Sequence, residues 1–342
     1  MIPNARLLLF RRLALFGALL AFVVVVLGAW VRLSAAGLGC PDWPGCYGHL
    51  TAHQAAQHAD SISRHYPLRP FEYAKAQKEM LHRYFAGALA TLVLLLAAVG
   101  ALNRKAAGQP VALPMILVLV VLLQALLGMW TVTLLLKPLI VLLHLLGGLT
   151  TLSLLSWLAI RVERTTRPGV ERGLRVWALI ALMALAVQLM LGGWTSSNYA
   201  ALACPDFPTC QNSYWPAMDL RDAFVPWRGL PVTDESGDYQ GGVLAHPARV
   251  AIHFVHRLGA LLVALVVGWV ALLAWRRAQT HAVRVAGALV AVLLVAQLII
   301  GPLMVVRGFP LALATAHNAF AALLLVSLVR LNRLLWVTRR RL

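Results

Sequence analysis

Residues 28–46 read GAWVRLSAAGLGCPDWPGC, and residues 192–210 read GGWTSSNYAALACPDFPTC. At an offset of 164, without a gap, Gly28, Trp30, Leu38, Cys40, Pro41, Asp42, Pro44 and Cys46 meet Gly192, Trp194, Leu202, Cys204, Pro205, Asp206, Pro208 and Cys210. The correspondence continues along the chain. His82-Arg83 pairs with His256-Arg257 at offset 174, and Gln124, Gly128 and His144 pair with Gln297, Gly301 and His317 at 173. A single match of this kind is chance, whereas an ordered series is a duplication. The chain therefore divides into an N-terminal half, 1–165, and a C-terminal half, 166–342.

What each half contains follows from hydropathy. The 342 residues are 61% hydrophobic and only 12% charged, about half the charge of an ordinary soluble domain. Apolar runs recur at roughly 12–31, 80–102, 111–133, 137–160, 174–194, 250–275, 282–303 and 310–336. Each is near the ~20 residues that cross a bilayer as a helix. The expected fold is an all-α membrane protein, with eight transmembrane helices forming two pseudo-symmetric four-helix bundles. Four spans per half leave both halves in the same orientation, related by an axis along the membrane normal. The first run, with Arg6, Arg11 and Arg12 before it, has the outline of a cleaved signal peptide. Its repeat partner lies deep in the chain, so the reading retains it as a span.

The net charge of +18 is sorted by side. With the N-terminus inside, the inner ends and loops hold 18 of the 30 Lys and Arg, but only Glu163 and Glu171 of the 12 acids. This positive-inside pattern puts both termini in the cytoplasm and the chain in an inner membrane, with the lipid bilayer as its surroundings. A nucleic-acid partner is excluded, because such a footprint gathers on one folded face. Two outer loops, about 33–79 and 195–249, are long enough to carry structure of their own. The cysteines fall in these loops, where thiols oxidise, so two short disulfides are expected, Cys40–Cys46 and Cys204–Cys210, of structural or redox-active role. The first loop also holds His49, His53, His58 and His65, in a polar stretch that reads as solvated surface.

Ionisable residues within hydrocarbon spans are costly and mark function by default. His82, His144, His256 and His317 fall at matching depths in the outer half of the membrane, one pair per half; His144 lies ~10 Å along its helix from Lys137. Imidazoles on neighbouring helices are suited to the two axial positions of a heme iron. Two ligands per half do not make a zinc site, which takes three or four. The competing reading is four hydrogen-bonded histidines that help helices associate. Arg83 and Arg257 are candidates for bidentate contacts to heme propionates, or else interfacial anchors. The halves differ at one telling position: Glu79 precedes His82 by one turn, where the second half has His253. A carboxylate beside only one iron ligand points to chemistry in the N-terminal half and electron storage or transfer in the C-terminal half.

These residues together resemble the heme A synthase family, over the whole chain. The likeness is carried by Trp30-Val31-Arg32-Leu33-Ser34, Gly37-Leu38-Gly39-Cys40-Pro41-Asp42-Trp43-Pro44 with Cys46, the Glu79-x-x-His82-Arg83 run, and His144, His256 and His317. It looks like the bacterial subgroup with a cysteine pair in each half. The resemblance implies heme b on His256 and His317, and heme O as substrate at His82 and His144, with Glu79 catalytic. The reaction implied oxidises the C8 methyl of heme O through an alcohol to the formyl of heme A, for a terminal oxidase. Implied partners are heme O synthase, an unidentified electron-transfer protein and further copies of the chain in a homo-oligomer. A di-heme electron carrier explains both histidine pairs but not Glu79. A heme transporter or chaperone would treat the first pair as a transit site.

Overall fold

The computed structural model describes residues 5–106, 108–160, 172–228, 237–278 and 280–336. Among these it contains eight helices long and apolar enough to cross a membrane. They are α1 (Ala5–Leu33), α4 (Tyr73–Leu102), α5 (Ala112–Thr133), α6 (Pro138–Ala159), α7 (Arg172–Ser197), α9 (His246–Arg277), α10 (His281–Val306) and α11 (Leu311–Leu335). Three short helices lie in the long loops: α2 (Ala52–Ala56) and α3 (Ala59–His65) in the first, α8 (Leu220–Ala223) in the second. Glu163, Glu171 and the expected division between residues 165 and 166 lie outside the described residues.

Several helices outrun the apolar runs. α1 begins at Ala5 rather than near 12, α4 at Tyr73 rather than near 80, and α9 at His246 rather than near 250. Hydropathy registers only the part of a helix that sits in hydrocarbon. The hydrogen-bonded helix continues into water until a cap or turn stops it. His82 and His256 therefore stand more than two turns inside their helices, not near the start as the apolar runs imply.

The helix contacts repeat between halves. α1 packs against α4 and α6, and α5 against α4 and α6; in the second half α7 packs against α9 and α11, and α10 against α9 and α11. The halves meet through α1, α6, α7 and α11. This fits a pseudo-symmetric pair of bundles. Lipid is as apolar as leucine, so close van der Waals contact, rather than expulsion of water, holds such helices together. Small residues accordingly line the central helices, with Ala14, Ala18 and Ala21 of α1 and Ala178 and Ala181 of α7 buried. Asn332 of α11 donates to the Ala178 carbonyl of α7 at 3.0 Å. Large aliphatics such as Leu119, Leu265 and Val292 point outward, as a lipid-facing surface requires.

The two closing turns are also alike. Leu135 and Leu136 between α5 and α6, and Gly308 and Phe309 between α10 and α11, all have positive φ. Three of the four carry a Cβ in a conformation that favours glycine, and packing offsets that cost for Leu136, which is buried with Leu38 and Val132. α9 and α10 approach most closely at Gly287, where an added Cβ would lie 2.6 Å from the Ala274 methyl carbon. Neither atom can rotate away. Gly287→Ala should therefore destabilise the fold by about 1–3 kcal/mol, read as a lower thermal midpoint in detergent. Gly87→Ala, which meets open space, should leave the midpoint almost unchanged.

Candidate functional site

Each membrane histidine lies against a glycine of the preceding span. A Cβ added to Gly28 of α1 would lie 3.0 Å from Cε1 of His82 on α4, and one on Gly128 of α5 would lie 3.2 Å from Cε1 of His144 on α6. In the second half Gly192 of α7 faces His256 of α9 at 3.1 Å, and Gly301 of α10 faces His317 of α11 at 3.5 Å. The four glycines are the repeat-related pairs Gly28/Gly192 and Gly128/Gly301. A Cβ at Gly28, Gly128 or Gly192 would crowd the imidazole, whereas at Gly301 it would make ordinary contact with the ring. His82 lies within electrostatic range of His144, and His256 of His317. The structure thus brings together the pairs expected from the sequence.

Glutamines back the second pair. Gln297 Nε2 donates to the His317 carbonyl at 2.8 Å. Gln188 Nε2 donates to the His256 carbonyl at 2.9 Å and lies 3.1 Å from His256 Nδ1. Nδ1 of His82, His144 and His317 is buried without a hydrogen-bond partner. Gln188 was not singled out from the sequence because its repeat position is Val24, so the duplication carries no signal for it.

Glu79 is buried, 4% exposed, and held from two sides. Its Oε1 pairs with Arg83 Nη2 at 2.5 Å, and its Oε2 accepts the Cys40 N–H at 3.0 Å. The loop reaches α4 because residue 39 is glycine; a Cβ there would lie 2.6 Å from the Lys75 carbonyl carbon. Arg83 Nη1 also donates to the carbonyls of Asp42, at 2.8 Å, and Gly45. Arg257 acts in the same way in the second half, donating to the carbonyls of Thr209 at 2.8 Å and Cys204 at 2.9 Å. Both arginines, offered by the sequence for heme propionates, are here engaged with the backbone of the cysteine loops.

Those loops are two copies of one device. Cys40–Cys46 and Cys204–Cys210 are both disulfide-bonded. Within each ring the aspartate accepts two backbone N–H groups, those of Tyr47 (2.6 Å) and Gly48 (2.8 Å) for Asp42, and of Gln211 (2.6 Å) and Asn212 (2.9 Å) for Asp206. This explains why the repeat keeps Cys-Pro-Asp, a role the sequence reading did not identify. His53, His58 and His65 are exposed, and His49 stacks on His58 with ring centroids 4.9 Å apart.

The Thr209 hydroxyl, helped by the Asn212 and Gln211 N–H groups and opposed by a lesser desolvation, holds the Asp206 carboxyl below its ordinary value. The aspartate's support of loop 204–210 is therefore complete above the ordinary aspartate range, near ~3.9. It fades only as pH falls through the lowered folded value. Asp42→Ala, which removes two backbone acceptor contacts, should cost about 1–2 kcal/mol. Its thermal midpoint should drop while non-reducing mass spectrometry still finds the Cys40–Cys46 link.

Comparison with known proteins shows the family. A profile of the COX15-CtaA family, described as cytochrome oxidase assembly protein, matches residues 11–329. The heme A synthase of Shewanella oneidensis is 42% identical over 320 residues, covering 92% of this chain and 93% of that protein. The heme A synthase of Rhizorhabdus wittichii is 33% identical over 188 residues, 54% of this chain and 48% of that protein. That of Alkalihalophilus pseudofirmus is 24% identical over 204 residues, 57% and 62% respectively. With the family profile spanning nearly every described helix, the chain belongs to the COX15-CtaA family of cytochrome oxidase assembly proteins.

Proposed function

We propose that this protein is a heme A synthase that oxidises the C8 methyl of heme O to the formyl of heme A by successive oxidations. The observation that carries the reading is the doubled histidine pair, each ring packed against a glycine of the preceding span. Paired imidazoles between apolar helices fit the axial positions of heme iron. In this reading His82 and His144 hold heme O as substrate, and His256 and His317 hold heme b. The work divides between residues 1–165 and 166–342 accordingly.

A methyl group has no acidic proton and no leaving group, so the protein's part is placement and electrostatics. His256 and His317 would hold heme b, which when bound would supply one-electron storage. Glu79 lies one turn from His82 and carries a buried carboxylate, fixed by Arg83 and the Cys40 N–H. Its Oε1 and Oε2 are the atoms available to accept a proton or to offset positive charge developing on the substrate. Because the Cys40 N–H is one of the two groups holding it, the cysteine loop positions this carboxylate.

The sorted charges support a bacterial plasma-membrane location with both termini cytoplasmic, and the disulfide loops on the opposite, oxidising side agree with it. Reporter fusions after Lys105 should read cytoplasmic and fusions near Ser63 should read external; inversion of either would overturn the orientation.

His256→Ala and His317→Ala should each remove heme b and its low-spin absorption bands, with loss of activity. Glu79→Gln should keep heme b, while heme A falls strongly and heme O or a partly oxidised heme accumulates on the protein. Heme b retained with unaltered low-spin bands in both histidine variants would refute the ligand assignment. Normal heme A in Glu79→Gln would refute the role given to the carboxylate.

A further inference from the structure

Positions 79 and 253 are equivalent in the two halves, each three residues before a histidine and four before an arginine. In the first half the arginine is neutralised. Glu79 pairs with Arg83 at 2.5 Å, and both side chains are largely buried, at 5% and 12% exposure. In the second half His253 is equally buried, and its Nε2 accepts from Arg257 Nε at 3.3 Å. A ring nitrogen that accepts a hydrogen bond carries no proton, so this arrangement describes a neutral imidazole. The other donors of Arg257 go to the carbonyls of Thr209 and Cys204, which are also uncharged.

The remaining charges do not remove the difference. Asp206 keeps its charge and acts on Arg257 from a distance, but the two form no ion pair among the described residues; its carboxylate accepts from the Thr209 hydroxyl and the N–H groups of Gln211 and Asn212. Its counterpart Asp42 caps the first loop through the equivalent N–H groups, with Arg83 on its backbone carbonyl. At positions 79 and 253 the halves therefore differ by one buried, directly paired carboxylate, present beside His82 and absent beside His256.

We propose that the missing carboxylate is a redox-tuning device: Arg257, left without an acidic partner by His253, raises the reduction potential of the C-terminal heme b. The inference rests on the reading that His256 and His317 hold that heme. Reduction of the ferric iron adds one electron, so a nearby fixed positive charge in a low-dielectric setting favours the reduced form. A copy of the first site, in which the charges cancel, would lack this bias. His253 is then a positioning residue that sets which half holds electrons more readily, and Gln188, which backs the His256 carbonyl, keeps the ligand in register with it.

The test is a spectroelectrochemical titration of heme b in the purified holoprotein. His253→Glu gives Arg257 the partner that Arg83 has, and the midpoint should shift to lower potential with heme b content and low-spin bands retained. His253→Gln, neutral and of similar reach, should stay near the wild-type value. Arg257→Gln should also shift the midpoint down and Arg257→Lys should not, which keeps the question answerable if His253→Glu fails to assemble. An unmoved midpoint in both His253→Glu and Arg257→Gln overturns the proposal, as does a downward shift in His253→Gln equal to that in His253→Glu. Failure of the underlying reading is recognised separately, by heme b that survives His256→Ala with its bands unaltered.

Discussion

Hydrocarbon offers no hydrogen bonds, and every polar atom in this protein's spans is placed under that constraint. Backbone groups are satisfied within helices, which is why the spans are helical. Polar side chains cannot be scattered, because each one buried without a partner costs free energy. Serine, threonine and asparagine side chains bond to helix carbonyls, and the remaining polar groups include four histidines, the glutamines behind two of them, and Glu79 with its arginine. Packing adapts to the histidines. A glycine lies opposite each ring, and at Gly28, Gly128 and Gly192 an added methyl group would press on imidazole.

The outer loops are joined to this arrangement rather than appended to it. A guanidinium one residue beyond the ligand histidine reaches up to the carbonyls of each disulfide ring, and the aspartate of Cys-Pro-Asp holds the ring from within. Charge-assisted bonds of this kind are stronger than neutral ones, so each loop is tied firmly to its histidine helix. In the first half the same linkage includes Glu79 through the Cys40 N–H. The residue proposed to take part in the chemistry is thus also part of the scaffold, and this dual engagement is why Glu79→Gln, which keeps shape and hydrogen-bonding capacity, is a better probe than a truncation.

Duplication makes comparison within one molecule possible. Where the halves agree, as at Gly28 and Gly192 or Arg83 and Arg257, the shared feature reports what any such site needs. Where they differ, as at Glu79 against His253 or Val24 against Gln188, the difference is the basis for proposing different work for the halves. Both differences lie within a turn or a contact of a ligand histidine, where a charge or a hydrogen bond acts most strongly on a bound iron.

The sequence by itself determined the number of spans and the two disulfides, and it marked the repeated motifs, the four histidines and Glu79 as candidates. These are legible because the bilayer imposes a length on each apolar run and makes every intramembrane ionisable residue conspicuous. It was silent on three things. The ends of α1, α4 and α9 were misjudged because hydropathy ceases where the hydrocarbon does while hydrogen bonding continues. The purpose of the repeated glycines and of Asp42 and Asp206 was hidden because each acts on a neighbour distant in sequence or on backbone atoms that the sequence does not spell out. The engagement of Arg83 and Arg257 was decided only by tertiary structure: a guanidinium at the membrane surface suits a propionate or a carbonyl equally in chemistry, and it was the folding of each cysteine loop back over its helix that brought the carbonyls within reach.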